Sequence, residues 1–125
     1  MAISLGTVAG GAIGTTIVED TALSTTAQVA DGNSGTIYQV YIDNTNNSST
    51  QVYVKGYDTT GSVTVGVTHP DFVFPCAAGQ VRQYDFVSGV AYATGLKIAC
   101  ETDAGTGDGS AGAPGSSVVV RMNLG

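Results

Sequence analysis

Short runs in which apolar and polar residues alternate recur along most of the chain, and none keeps the three-to-four spacing of an amphipathic helix. The densest stretch is 52–79, VYVKGYDTTGSVTVGVTHPDFVFPCAAG. Tyr, Val, Phe and Thr fill its runs, and these side chains suit a pleated, half-buried surface. Asp58-Thr59-Thr60-Gly61 and Thr68-His69-Pro70-Asp71 carry turn chemistry, so a strand is expected on each side of the first turn. A short strand, Phe72–Phe74, follows and is stopped by Pro75.

Read in order, the same pattern predicts further strands. The Gly-rich start allows short ones at Ile3–Val8 and Thr15–Val18. Residues 1–20 are read as an arm or an edge strand, either completing the sandwich or reaching a partner, and 21–125 as a single domain. Thr21–Gln28 lacks an apolar stripe and reads as strand or loop. Asp31-Gly32-Asn33-Ser34-Gly35 is a turn that delivers Thr36–Asp43, with Tyr38, Val40 and Ile42 on one face and Ile37, Gln39 and Tyr41 on the other. Asn44–Ser49 then reads as the turn of a β-hairpin returning through Gln51–Asp58. Val81–Val87 ends at a Ser88-Gly89 turn. Leu96–Thr102 points Leu96, Ile98 and Cys100 inward and Lys97 and Glu101 outward. Val118–Leu124 buries Val118, Val120, Met122 and Leu124 opposite Arg121 and Asn123. Between these last two, Asp103–Ser117 reads as a flexible solvated loop. Seven to nine short strands with no helix of crossover length predict an all-β fold, an antiparallel β-sandwich of jelly-roll or Ig-like type.

Composition narrows the function classes. Charged residues are 11% of the 125, against ~25% in typical soluble domains, so the surface is poorly protected against self-association. The net charge is −6, and Lys55, Arg82, Lys97 and Arg121 are scattered singly. No basic stripe is available to displace counterions from phosphates, which argues against nucleic acid and anionic membranes as partners. No apolar run approaches the ~20 residues of a bilayer span. The first residues have neither a basic nor a continuous apolar segment, so no secretion signal is expected and assembly in a cytosol is the reading. Cys76 and Cys100 stand outside any CxxC or Cys/His cluster. Buried free thiols are expected, and a disulfide would require the two to face each other across adjacent strands.

Five places in the chain carry residues that could support chemistry. Gly107–Gly112 matches GxGxxG, but a dinucleotide site needs that turn between a strand and a helix, and no helix follows. Asp103 and Asp108 offer too few oxygens for calcium. His69, the only histidine, precedes Pro70 in a turn without a nucleophile motif, and one imidazole is too few ligands for zinc or iron. Glu19-Asp20 and Asp85/Glu101 are the remaining acidic candidates for glycosidase-type work. With no Trp to stack on a sugar, they are not read as a hydrolase site. The expectation is no enzyme, no cofactor and no metal.

Tyr38, Tyr41, Tyr53 and Tyr57 fall within one predicted hairpin, where alternation must turn about half of them away from the interior. Exposed tyrosines among few charges are typical of protein interfaces. Tyr41, Tyr53 and Tyr57, with Ile3, Leu5 and Val8 of the arm, are therefore the candidate interface.

The segments VYVKGYD (52–58), VGVTHPDFVFPCAAGQ (65–80) and YATGLKIACETDAGTG (92–107), in that order, resemble a group of small tailed-phage virion structural proteins. That group carries a YvKlYD strand, a vGtt-P-d-v-P-aG segment and a faTGL-ia-t--aGt strand. The similarity covers roughly 36–107 and the terminal valine-rich strand. Gly56, where a larger residue is usual, and Cys76 after Pro75 depart from the pattern. The resemblance implies a capsid decoration (cement) protein on the virion exterior, a homotrimer whose partner is the major capsid protein. A tail, neck or head-fibre component and a lectin-like glycan-binding module are the alternatives.

Overall fold

A computed structural model describes residues 3–7, 14–106, 109 and 111–125. Its nine strands are β1 (Ile3–Thr7), β2 (Thr16–Leu23), β3 (Gln28–Asp31), β4 (Gly35–Asp43), β5 (Val52–Tyr57), β6 (Phe72–Cys76), β7 (Val81–Tyr92), β8 (Leu96–Glu101) and β9 (Val118–Leu124). They form two antiparallel sheets, β1-β2-β9-β4-β7 (sheet A) and β3-β8-β5-β6 (sheet B). β2 pairs with β9, β3 with β8, β4 with β7 and β5 with β6. These nested pairs are one long hairpin, hinged between β5 and β6 and wrapped around itself. That is the jelly roll, with β1 added at the edge of sheet A. The all-β sandwich is thus as the alternation predicts.

The inner faces supply the core. Val40, Ile42, Val120 and Met122 of sheet A meet Val54, Leu96, Ile98 and Cys100 of sheet B, all buried. At the open side, Phe74 closes against Tyr84 and Phe86, with ring centroids 5.5 and 6.0 Å apart. Cys76 and Cys100 are both free and buried. They sit on strands flanking β5, opposite Val52 and Val54 respectively, so the adjacent-strand geometry of a disulfide is not met.

Several expectations are corrected. Thr36–Asp43 and Gln51–Asp58 are not a hairpin, because β4 pairs with β7 and β9 while β5 lies in the other sheet. Asn44–Ser49 is therefore a crossover between sheets. The face assignment of β4 fails at its start. A bulge between Ile37 and Gln39 shifts the parity, so Ile37, Val40 and Ile42 share the core face and Tyr38 does not. Ser88-Gly89 is not a strand end but an irregularity inside β7. A two-residue step on β4 (Ile37 to Gln39) there spans five residues on β7 (Val90 to Asp85). Gly89 makes this possible: its φ is +75°, and a Cβ would lie 2.2 Å from Thr36 Cγ2. Pro75 does not stop β6, which runs on to Cys76; as an edge strand it tolerates the missing N–H. The departure at Gly56 also has a cause. A Cβ there would lie 2.9 Å from Phe72 Cδ2, so the Phe72 ring occupies the space of a larger side chain.

The division drawn at residue 20 falls inside β2. Beside it, Asp20 is a carboxylate on the core side of the sheet, fully buried, with Oδ1 accepting from the Ala22 N–H at 2.9 Å and Oδ2 without a partner among the described residues. Burial raises its pKa, and the Ala22 bond only partly offsets this. A carboxyl with a raised folded pKa favours folding at pH values below its unfolded pKa. That contribution is lost as pH rises through the folded value. Asp20→Asn is thus expected to melt higher than the parent at pH 7, with the gap closing as pH falls toward 4, about the unfolded pKa of Asp. A gap that widens toward acid would refute this.

Candidate interface

The two outer faces of the sandwich are treated differently by the chain. On the outer side of sheet B, alternation points Lys55 and Tyr57 of β5 and Ala99 and Glu101 of β8 away from the core, yet all four are buried. Two loops cover them. Residues 58–71 do not hold the expected second strand. Val65 instead buries against Tyr57 and Ala99, with Val63 and Ala111 packed alongside, as a small second core. Asp103–Ser117 is the expected loop, with most of its described residues exposed, but parts of it are held against the sheet. The Thr102 N–H donates to Gly112 O at 2.9 Å, the Gly109 N–H to Gly66 O at 3.2 Å, and Thr106 Oγ1 lies 2.7 Å from His69 Nδ1. Beneath them the Lys55 ammonium is paired with Glu101 and donates to the carbonyl of Gly105, so the loop backbone is tied to the sheet by a buried charge. Glu101 Oε2 and the Tyr57 hydroxyl find no partner among the described residues. The phenol is pushed up to about 12 by burial and, second, by the Glu101 charge.

The outer face of sheet A carries no such cover from the described residues. One row crosses it from β2 to β7 as Glu19, Arg121, Tyr41 and Gln83. Arg121 Nε donates to Glu19 Oε2 at 2.5 Å, and its guanidinium carbon stands 5.1 Å from the centre of the Tyr41 ring. Flanking rows add Ile17, Asn123, Gln39 and Asp85 on one side and Val119, Asp43 and Val81 on the other. Ile17 and Val81 are more than two-fifths exposed, and Val87, at the β7 irregularity, is 89% exposed. Asp43 is held below the usual carboxylate range by the hydroxyl and N–H of Thr45. Asp85 accepts from Gln39 Nε2 at 2.9 Å and from Gln83 Nε2.

Of the six residues proposed from the sequence, the five that are described do not come together. Tyr41 sits in the centre of the open face. Tyr53 is on the opposite side of the sandwich, its hydroxyl accepting from Gln51 Nε2 at 3.1 Å. Tyr57 is 1% exposed beneath the loops and offers nothing to a partner. Their expected clustering depended on the hairpin, and it goes with it. Ile3 packs against the core from the edge of sheet A, and Leu5 lies opposite Val18 in the β1–β2 register. Val8 lies outside the described residues. Arg121, Glu19, Asp43 and Gln83 were missed. The signal for Arg121 was present, since it stands on the outward face of β9.

The acidic candidates for chemistry are likewise separated. Glu19 points outward and Asp20 inward. Asp85 lies on the open face, whereas Glu101 is sealed under loops on the far side. His69 is exposed in its turn, and Asp108 lies outside the described residues. Asp58 is a structural acceptor: the Ala93 and Thr94 N–H groups each donate to it at 2.8 Å and lower its pKa. An open groove of about 480 Å³ is lined by Thr25–Ala27, Ser62–Val65 and Lys97; it presents hydroxyl, small and aliphatic groups beside the lysine, with no ring on which a sugar could stack.

Comparison of the chain with protein-family models, with curated proteins and with solved structures yields no match.

Proposed function

We propose that this chain is a structural subunit of a tailed-phage particle, a capsid decoration protein. It seats as a homotrimer on the outer surface of the major capsid protein shell and stabilises that shell. The observation that carries the reading is the one-sidedness of the sandwich. The chain uses two long loops and a buried ion pair to close one sheet, while the described residues leave the outer face of the other sheet uncovered around Tyr41. Contact area on a rigid platform is what such a subunit has to offer, and a standard interface of roughly 800 Å² per partner is within reach of a five-stranded sheet. The resemblance of 52–107 to small virion proteins supports the same reading. A position in the tail, neck or a head fibre uses the same platform and differs in copy number. The glycan-binding alternative asked for a cleft lined by Tyr and Asp, and the groove beside Lys97 has neither.

The test is co-sedimentation of the purified protein with shells of its parent particle assembled without it. Saturable binding at hundreds of copies per shell, with a rise in the temperature at which shells rupture, is the expected result. Retention on isolated tails at a few dozen copies or fewer would replace it with the tail reading. Binding to neither would overturn both.

A further inference from the structure

We infer that the docking surface is the outer face of sheet A and that the surface it meets is a protein surface rich in arginine or lysine around a central apolar contact. The inference rests on the assembly reading above and adds which face is used and what chemistry it meets.

The opposite face is largely taken up by its own loops, which already bury Lys55, Tyr57, Ala99 and Glu101 of β5 and β8. On the open face the balance of charge identifies the occupant. Three carboxylates, Glu19, Asp43 and Asp85, stand against one guanidinium, Arg121, leaving a net charge of −2 (one minus three). Arg121 is committed to Glu19 and to the Tyr41 ring. Asp43 and Asp85 form no ion pair among the described residues, and each takes its hydrogen bonds from neutral donors, Thr45 and the two glutamines. They lie in rows four residues apart on either side of Tyr41 and Gln83, roughly 13 Å along the strands at about 3.3 Å per residue. Two unneutralised acids flanking an aromatic ring fit an apolar contact bordered by partner cations. A second copy of the same face would set acid against acid, which disfavours a symmetric pairing of this chain through it. Exposed Ile17 and Val81 extend the apolar part to either side.

Two arms test this. In the first, 15N-labelled protein is titrated with a hexa-arginine peptide. Amide shifts are expected to cluster in 39–43, 81–85 and 119–123 and to vanish in the Asp43→Asn/Asp85→Asn variant. Shifts centred on 58–71 or 102–117 would overturn the inference whether or not shells bind. In the second, Asp43→Asn/Asp85→Asn is expected to bind shells at least tenfold more weakly than the parent at low salt, with a flatter salt dependence. Tyr41→Ser is expected to lose at least as much, while Val29→Thr/Val67→Thr, exposed elsewhere, binds as the parent does. Undiminished binding by the first two variants would overturn the inference while leaving the capsid reading intact. Failure of the parent to bind shells, with the peptide shifts in place on sheet A, would remove the capsid reading alone.

Discussion

Lys55→Met is expected to destabilise the protein by about 3–5 kcal/mol, the range seen when one partner of a buried ion pair is removed. Lys55 and Glu101 are each 1% exposed in their side chains, so the loss is not softened by solvent. The variant leaves an uncompensated Glu101 carboxylate in a layer made of Tyr57, Val65 and Ala99, where it already has one oxygen without a partner. It also removes the donor that Gly105 O accepts from, so the 102–117 loop loses its tie to the sheet. Two readouts follow. Urea unfolding followed by tyrosine fluorescence should show the midpoint shift, and amide exchange should accelerate first at the Thr102, Gly109 and neighbouring N–H groups. Lys55→Met/Glu101→Leu should recover most of the loss, because replacing both charges by apolar groups removes their desolvation cost. A single variant within 1 kcal/mol of the parent would mean that the pair is hydrated and the loops do not seal the face.

That sealed layer also marks where sequence reading stops. Alternation is a statement about which side of a strand a residue occupies, and it placed the inward residues of β8 and β9 correctly, Leu96 to Cys100 and Val118 to Leu124. It is silent on whether a loop covers the other side. Lys55, Tyr57 and Glu101 are outward by parity and buried in fact, because Val65, Gly105 and Ala111 lie over them. Glycine and threonine in those loops read as solvated spacer, yet the same small residues are what allow a backbone to lie close on a sheet. The bulge at Ile37–Gln39 has no residue of its own to announce it, and one uncounted residue is enough to exchange faces. Of the candidate interface, Tyr41 could be placed on an outer surface from β4 alone. Its neighbours could not be found, because they arrive from β2, β7 and β9, far apart in the chain.

The sheet-to-sheet crossover gives the last expected result: Asn47→Ala should cost about 2–4 kcal/mol, with about 1–3 for leaving the buried Asn44 Oδ1 unpaired and about 1 for the bonds lost to Ser116. NTNNSS has the composition of an exposed hairpin turn, but two of its asparagines face inward. Asn44 is fully buried and donates through Nδ2 to the carbonyls of Thr50 and Ala77, at 2.9 and 3.2 Å. Asn47 donates through Nδ2 to Asn44 Oδ1 at 2.9 Å and to Ser116 O at 3.1 Å, and its Oδ1 accepts from the Ser116 N–H at 2.8 Å. Its own carbonyl accepts from the Gly79 N–H, so Asn44, Ser116 and Gly79 are all tied to this one residue. Alanine keeps the carbonyl contact and removes the three side-chain bonds, stranding the buried Asn44 Oδ1 and returning the peptide groups of exposed Ser116 to water. Asn47→Asp separates the two halves of the site: it keeps the acceptor for the Ser116 N–H but sets a carboxylate against Asn44 Oδ1 and Ser116 O. It should therefore be at least as harmful as alanine at pH 7 and less so when protonated at acid pH. By contrast Asn46, whose exposed side chain makes a single 3.3 Å bond to Ser117 O, should tolerate alanine within about 0.5 kcal/mol. If Asn46→Ala and Asn47→Ala melt together, the crossover is held by its backbone alone and the buried asparagine pair does not anchor it.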